Sequence, residues 1–324
     1  MQIVGHKKQI GYLDNILKNK QALPHAFLFF GPDKIGKKTI ALEFIKSIQC
    51  DKSNQIGRLC GDCAGCRQPI GINADFLFIK SSDPDDGKEI GIASIRELKS
   101  FMGSKPLHGG HKIAVIDQAD NMTQEAQNAL LKILEEPSGD KLFFLSSSNP
   151  DKLLKTIVSR VCAIKFSFVS QEEVSELISS IGASKSTEIE SLLPVIGNRP
   201  GMIFDLMSNP EVLKDRIKII DDFFKFAGSG INERFNYIEK ASKSEDFNLG
   251  FLLENWMMIL RLALFKKVQT CDLIDEDDLL YEFVKMMDKK AIARALRVAN
   301  NVHSLSAGTN VNQRLAFEIF AINL

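Results

Sequence analysis

The segment Gly31–Thr39, GPDKIGKKT, follows the apolar run AFLFF and precedes a helical pattern, TIALEFIKSI. Its spacing is G-x-x-x-x-G-K, the strand–loop–helix arrangement in which backbone N–H groups cradle phosphate and a lysine reaches its terminal oxygens. Gly31, Gly36 and Lys37 supply those parts. The position after the lysine normally carries a hydroxyl that ligates Mg²⁺. Here it is Lys38, whose charge repels a divalent ion, and Thr39 comes one residue late. On a helix one residue turns a side chain by about 100°. Lys34 stands inside the loop as a further point charge. The loop therefore retains phosphate-holding groups, while placement of Mg²⁺ is impaired.

A second candidate element is KIAVIDQAD. An apolar strand ending in Asp117 suits a metal-holding carboxylate, with a strand-end residue that caps a helix as the lesser alternative. A general base is expected next, and the residue is Gln118, which cannot take a proton. General-base catalysis contributes about 10²–10⁴ in rate. Asp120 is close but offset. Defects at both the metal and the base positions argue against productive nucleotide hydrolysis in this chain.

Cys50, Cys60, Cys63 and Cys66 have the spacing C-x9-C-x2-C-x2-C. Four thiolates suit tetrahedral zinc in a closed, structural site, with one ion per chain. Gly61 and Gly65 allow tight turns between them. Redox chemistry needs a single C-x-x-C. Cys162 and Cys271 stand apart and read as small buried apolar residues.

The chain has 324 residues, with Lys+Arg and Asp+Glu both 41. Zero net charge disfavours a dedicated nucleic-acid binder, so contact with DNA must be local or made through a partner. The first residues lack the apolar core of a signal peptide, and no apolar run reaches membrane-spanning length. A cytoplasmic location is expected.

These residues must be carried by a doubly wound α/β domain. Five nearly continuous apolar runs, at 26–30, 76–80, 113–117, 142–147 and 163–168, suit parallel strands covered on both faces. KQIGYLDNIL places Ile10, Leu13, Ile16 and Leu17 on one helical stripe. TQEAQNALLKILEEP does the same with Ala126, Ala129, Leu130, Ile133 and Leu134, and Pro137 ends it. Beyond about residue 168 no strand is evident. Ser170 and Glu173 have capping-box spacing ahead of Val174, Leu177 and Ile178. GNRPG at 197–201 breaks the chain between helices. Long helical patterns follow, and the stripe Phe251, Leu252, Trp256, Ile259 and Leu260 fits either a core or an interface. Three parts are expected: an α/β nucleotide-binding-like domain over 1–168 with a metal-binding insertion at 50–66, a small helical domain over 169–208, and an all-α domain over 209–324.

The order of motifs resembles the AAA+ family of bacterial sliding-clamp loaders. A degenerate phosphate loop is followed by four cysteines, IREL at 95–98, VIDQADNMTQEAQNALLKILEEP and SSSNPDKLLKTIVSRV. The resemblance is dense over 1–168 and mainly architectural beyond. It is nearest to the delta-prime type of DNA polymerase III, and the tau/gamma ATPases share the motifs. It implies an AAA+ P-loop domain, a helical lid and a C-terminal collar. It also implies that Ser159-Arg160 serves as a trans arginine finger for a neighbour's ATP. The motif is slightly irregular, with Val161 before Cys162, and a plain surface arginine is the alternative. Ser147 or Ser148 falls at the first sensor position. Pro200 takes the place of a second sensor arginine, with Arg199 one residue early. Val4 and Gly5 match a segment that touches adenine. The degenerate nucleotide site thus comprises Gly31, Gly36, Lys37, Lys38, Thr39, Asp117 and Ser148. Implied partners are tau/gamma-type ATPase subunits and a delta-type subunit, with the sliding clamp and primer-template DNA met through the assembly.

A hydrolysing tau/gamma-type motor would carry Ser or Thr at 38 and Glu at 118. A zinc-bearing nucleotide kinase would carry a mononucleotide pocket and an arginine-rich lid, which the helical second half disfavours.

Overall fold

The computed structural model describes residues 3–67, 73–80, 89–107, 110–135, 140–180, 189, 192–193, 196–244, 247–268, 279–308 and 312–324. The chain divides into two compact units, residues 1–180 with 198–202, and residues 181–197 with 203–324. Pro137 and Cys271 lie outside the described residues.

The first unit is built on a five-stranded sheet in the order β2-β3-β4-β1-β5, with every pairing parallel. The strands are β1 (Ala26–Phe30), β2 (Phe76–Ile79), β3 (Lys112–Ile116), β4 (Lys141–Ser147) and β5 (Cys162–Lys165). Four match the expected apolar runs to within a residue at each end. The fifth stops early. Phe166 adds one further backbone bond, from its N–H to Phe30 O at 2.8 Å. Phe168 is exposed, with the Arg199 guanidinium 5.5 Å from its ring centroid.

Continuous apolar strands follow from burial on both sheet faces. On one face Phe27, Phe29 and Phe144 pack with Phe44 of α2 (Lys37–Gln49) and with Leu13 and Leu17 of α1 (Lys7–Lys18). Phe27 and Phe144 stack with centroids 5.1 Å apart. On the other face Leu28, Ala114, Ile116 and Phe143 meet Ile95 and Leu98 of α4 (Ile92–Met102) and Ala126 and Leu130 of α5 (Gln124–Glu135). A short α3 (Ala64–Arg67) lies in the cysteine segment, and α6 (Lys155–Val158) precedes β5. Gln9 of α1 donates its side-chain amide to Lys165 O at the β5 edge, 2.8 Å. The capping box at Ser170 is formed, and it starts α7 (Gln171–Ser179), whose Val174, Leu177 and Ile178 are buried.

In parallel strands all C-terminal ends lie on one side of the sheet. The loops after β1, β3 and β4 therefore converge, which is the usual ligand edge of such a sheet.

The second unit is helical among its described residues. Its longest members are α9 (Pro210–Gly228), α11 (Leu249–Val268) and α13 (Lys289–Gly308), beside α10 (Ile231–Ala241), α12 (Leu279–Met286) and α14 (Gln313–Asn323); α8 (Pro200–Ser208) counts with the first unit up to Met202 and with the second from Ile203. Leu252, Trp256, Ile259 and Leu260 are core residues, whereas Phe251 is 46% exposed. Trp256 packs among Phe223, Phe226, Phe317 and Phe320, and its indole N–H donates to Ile219 O at 3.1 Å. Arg234 donates to three carbonyls, those of Phe226, Ala227 and Ala321, at 2.8–3.0 Å. No described helix is long and apolar enough to cross a membrane.

Candidate functional site

The loop after β1 has the backbone that its sequence demands. Gly31 has φ 144°, and a Cβ there would lie 2.1 Å from Phe166 O. Gly36, at φ 100°, is the N-cap of α2. Lys34 takes the left-handed conformation at φ 61°. Its carbonyl accepts from the Gly201 N–H at 2.7 Å, and a Cβ at Gly201 would lie 2.6 Å from the same oxygen. Glycine at 201 is thus required by backbone approach.

Lys37 is only 7% exposed. Its ammonium donates to Gly31 O at 2.6 Å and Pro32 O at 2.7 Å, with Asp33 Oδ1 at 3.7 Å. Burial draws Lys37 below the ordinary lysine range, against the opposing pull of Asp33, Asp120 and Asp117. Two of the three ammonium donors are thereby committed to the loop, which orients the lysine across the cradle. Thr39 is half-buried in the first turn of α2.

Lys38 reaches across to β3. Its Nζ lies 3.2 Å from Asp117 Oδ2 and 4.3 Å from the centroid of the Phe78 ring. The other carboxylate oxygen of Asp117 accepts from Ser146 Oγ at 2.5 Å. Ser146 Oγ in turn accepts from the Gln118 N–H at 2.9 Å. Both oxygens of the would-be metal ligand are therefore engaged by the protein itself. Gln118 has a left-handed backbone, φ 53°. Asp120 is buried and binds Ser148 through both backbone and hydroxyl, at 3.2 and 2.9 Å, and also accepts from Asn149 N–H at 3.3 Å. Of the two candidate sensor serines, Ser148 is thus held by Asp120. The hydroxyl of Ser147 finds no hydrogen-bond partner among the described residues. Ser146, which the sequence reading did not single out, is the serine joined to Asp117. Strand alternation on β4 carries the signal: Phe144 and Ser146 share the face toward α2.

Val4 and Gly5 line a groove of about 420 Å³ with Ile3, Ile10, Ile56 and Leu177. Next to them, His6 Nε2 donates to Ile35 O at 2.8 Å, so that the N-terminal segment clasps the phosphate loop. Burial, the largest influence, pushes the His6 imidazole below its ordinary range, against the Ile35 bond and the Glu173 charge.

Arg160 follows α6 and is 38% exposed. Its Nη2 is 2.8 Å from Glu135 Oε1, and its Nη1 donates to Thr156 O at 3.1 Å. Ser159 Oγ donates to the same carbonyl at 3.0 Å.

The four cysteines converge. The Sγ atoms of Cys50, Cys60, Cys63 and Cys66 all lie within 4.8 Å of one another. A tetrahedral ion with thiolate bonds of about 2.3 Å sets its sulfurs about 3.8 Å apart. Cys60 and Cys66 are separated by 3.8 Å. Cys50 ends α2, where Lys20 Nζ donates to the carbonyls of Ser47, Ile48 and Cys50. Gly61 makes a turn at φ 81°. Gly65 serves differently: a Cβ there would lie 2.0 Å from Gln49 O, so it lets α3 lie against the end of α2. Backbone amides of Asp51 and Cys66 hold the Cys63 thiol down to about 6. The cluster can hold a metal ion. Cys162 departs from the expected buried apolar role: it is half-buried, and its sulfur meets Tyr12 Oη at 3.4 Å.

Residues 5–170 match the family described as DNA polymerase III, delta subunit. The DNA polymerase III subunit delta' of Pseudomonas aeruginosa is 27% identical over 84% of this chain and 88% of its own length. The Bacillus subtilis subunit delta' is 27% identical over 81% of this chain and 77% of its own. In structure, the chain is similar to a DNA polymerase III gamma-subunit-related protein of Thermotoga maritima. The TM-score is 0.50 at 21% identity, over 97% of this chain and 98% of that one, a likeness of fold.

His6 gives a pH test. Its folded value is depressed, so the stability it contributes is present in full above about pH 6.5 and is lost as pH falls toward the folded value. Urea unfolding at pH 7.5 and pH 5.5 should show lower stability at the acid pH. His6→Gln should narrow that difference. An unchanged difference in the variant would show that His6 is not responsible.

Proposed function

Because the chain belongs to the DNA polymerase III delta-subunit family, we propose that it serves as a delta-prime-type clamp-loader subunit that does not hydrolyse ATP itself and lends Arg160 to a neighbouring ATPase. The observation that carries this reading is the Lys38–Asp117 ion pair at 3.2 Å. A phosphate-loop ATPase places Mg²⁺ between the loop hydroxyl and the strand-end Asp. Here an ammonium replaces the first and neutralises the second. Gln118 adds the lack of a base. A hydrolysing tau/gamma-type role would require this pair to be absent.

Arg160 answers a different need. An arginine supplied from a neighbour neutralises charge on the transferred phosphoryl group, and its fork suits that geometry. Arg160 is accessible at the surface, while Lys37 is buried and Asp117 is engaged by Lys38 and Ser146. The phosphate loop then has a structural task, with Gly31, Gly36, Lys37, Lys38, Thr39, Asp117 and Ser148 forming a degenerate nucleotide site. In this reading the α/β part over 1–168 is followed by a lid over 169–208 and a collar over 209–324. Its partners are tau/gamma-type ATPases and a delta-type subunit, and it meets the sliding clamp and primer-template DNA through them. The work belongs in the cytoplasm.

The four thiolates are assigned to one structural zinc. Their all-sulfur donor set leaves no open position, which suits structure rather than catalysis. The purified chain should contain one zinc per molecule by mass spectrometry of metals, and its removal by chelator should lower the unfolding midpoint. A metal-free chain that unfolds at the same denaturant concentration would rule the assignment out.

The main test is turnover. The isolated chain should hydrolyse no Mg-ATP above background. The complex with partner ATPase subunits should hydrolyse it, and Arg160→Ala should lower that rate by about 10³-fold, the usual scale for a trans arginine. Assembly, followed by size-exclusion chromatography, should be unchanged. Full turnover with the variant would remove the finger assignment.

A further inference from the structure

We propose that Glu135 is the positioning residue for Arg160, a role that rests on the trans-finger reading given above. Arg160 is not a loose surface side chain. Its two terminal nitrogens are fixed from two directions: Nη2 lies 2.8 Å from Glu135 Oε1, and Nη1 donates to Thr156 O at 3.1 Å. Nε takes no part in these contacts. Thr156 O itself is shared with Ser159 Oγ, so the turn after α6 and the guanidinium form one bonded group.

The location of the carboxylate matters. Glu135 is the last described residue of α5, two residues before Pro137 in the sequence, and an acidic side chain in the last turn of a helix is disfavoured by its dipole. A guanidinium placed against it offsets the penalty, and the pair joins the end of α5 to the α6–β5 turn. Helix α5 is anchored in the sheet core by Ala126, Leu130 and Leu134. Glu135 therefore connects the exposed arginine to a rigid element. An arginine carries a large rotamer entropy, and a donor already aimed loses less of it on reaching a phosphate. A guanidinium has five N–H donors, and the contacts with Glu135 and Thr156 leave Nε–H and further N–H groups for an incoming anion.

The effect is expected in catalysis by the neighbour rather than in binding. In the reconstituted complex, Glu135→Ala should lower kcat for ATP hydrolysis by about 3- to 10-fold with KM unchanged, since an exposed pair contributes modestly. Glu135→Asp should recover part of the loss. The double variant with Arg160→Ala should be no slower than Arg160→Ala alone, because both changes act through one group.

Three outcomes decide the matter. Loss with Arg160→Ala, a smaller loss with Glu135→Ala and no further loss in the double variant support the role. Loss with Arg160→Ala while Glu135→Ala turns over at or above the unaltered rate overturns the role of Glu135 and leaves the finger standing. An additive loss in the double variant also overturns it. Unchanged turnover with Arg160→Ala overturns the finger reading and this inference together.

Discussion

The Lys38 ammonium, in the first turn of α2, is held 3.2 Å from the Asp117 carboxylate at the end of β3. The remainder of the site is arranged around that pair. Asp117 spends its second oxygen on Ser146, and Ser146 takes the amide of Gln118. Phe78 backs the lysine with the face of its ring. The loop after β1, the end of β3 and the end of β4 are thereby tied by side chains of this chain alone. In a phosphate-loop ATPase the loop and the strand-end Asp are joined through a bound Mg²⁺. Here the tie is made by Lys38, Asp117 and Ser146.

Other features of the first unit point the same way. Lys37 is bound to the carbonyls of its own loop, His6 clasps Ile35 O, and Gly201 N–H meets Lys34 O. These contacts brace the loop in its cradle conformation. At the other end of α2, Cys50 begins the thiolate cluster. One helix thus carries the phosphate loop at its start and, at its end, a cysteine cluster that can hold a metal ion.

Much of this was legible in the residues. Lys38 and Gln118 could be read by type as departures from the hydroxyl and the carboxylate expected at those positions, and the cysteine spacing declared a common site. Continuous apolar runs in β1 to β4 identified buried parallel strands, because both faces of the sheet are covered. What stayed hidden were contacts made by topology. Nothing in the order of residues says that Lys38 reaches Asp117, that Glu135 meets Arg160, or that Gly201 is pressed against Lys34. Nor could a helical stripe tell core from surface: Trp256 is wholly buried, while Phe251, one and a half turns earlier, faces outward. Polar residues were the hardest to place. Ser146, Ser147 and Ser148 are alike in sequence, yet strand alternation sends them to Asp117, to an unpartnered buried position and to Asp120 respectively.

The account depends on Lys38 excluding a divalent ion from Asp117. The most direct measurement is electron paramagnetic resonance of Mn²⁺, a spectroscopic stand-in for Mg²⁺, titrated with ATP into the isolated chain. The account predicts only the signals of free Mn²⁺ and of Mn²⁺ held by ATP in solution, and the appearance of a protein-bound signal in Lys38→Thr. A protein-bound Mn²⁺ signal in the unaltered chain that disappears in Asp117→Asn would contradict it.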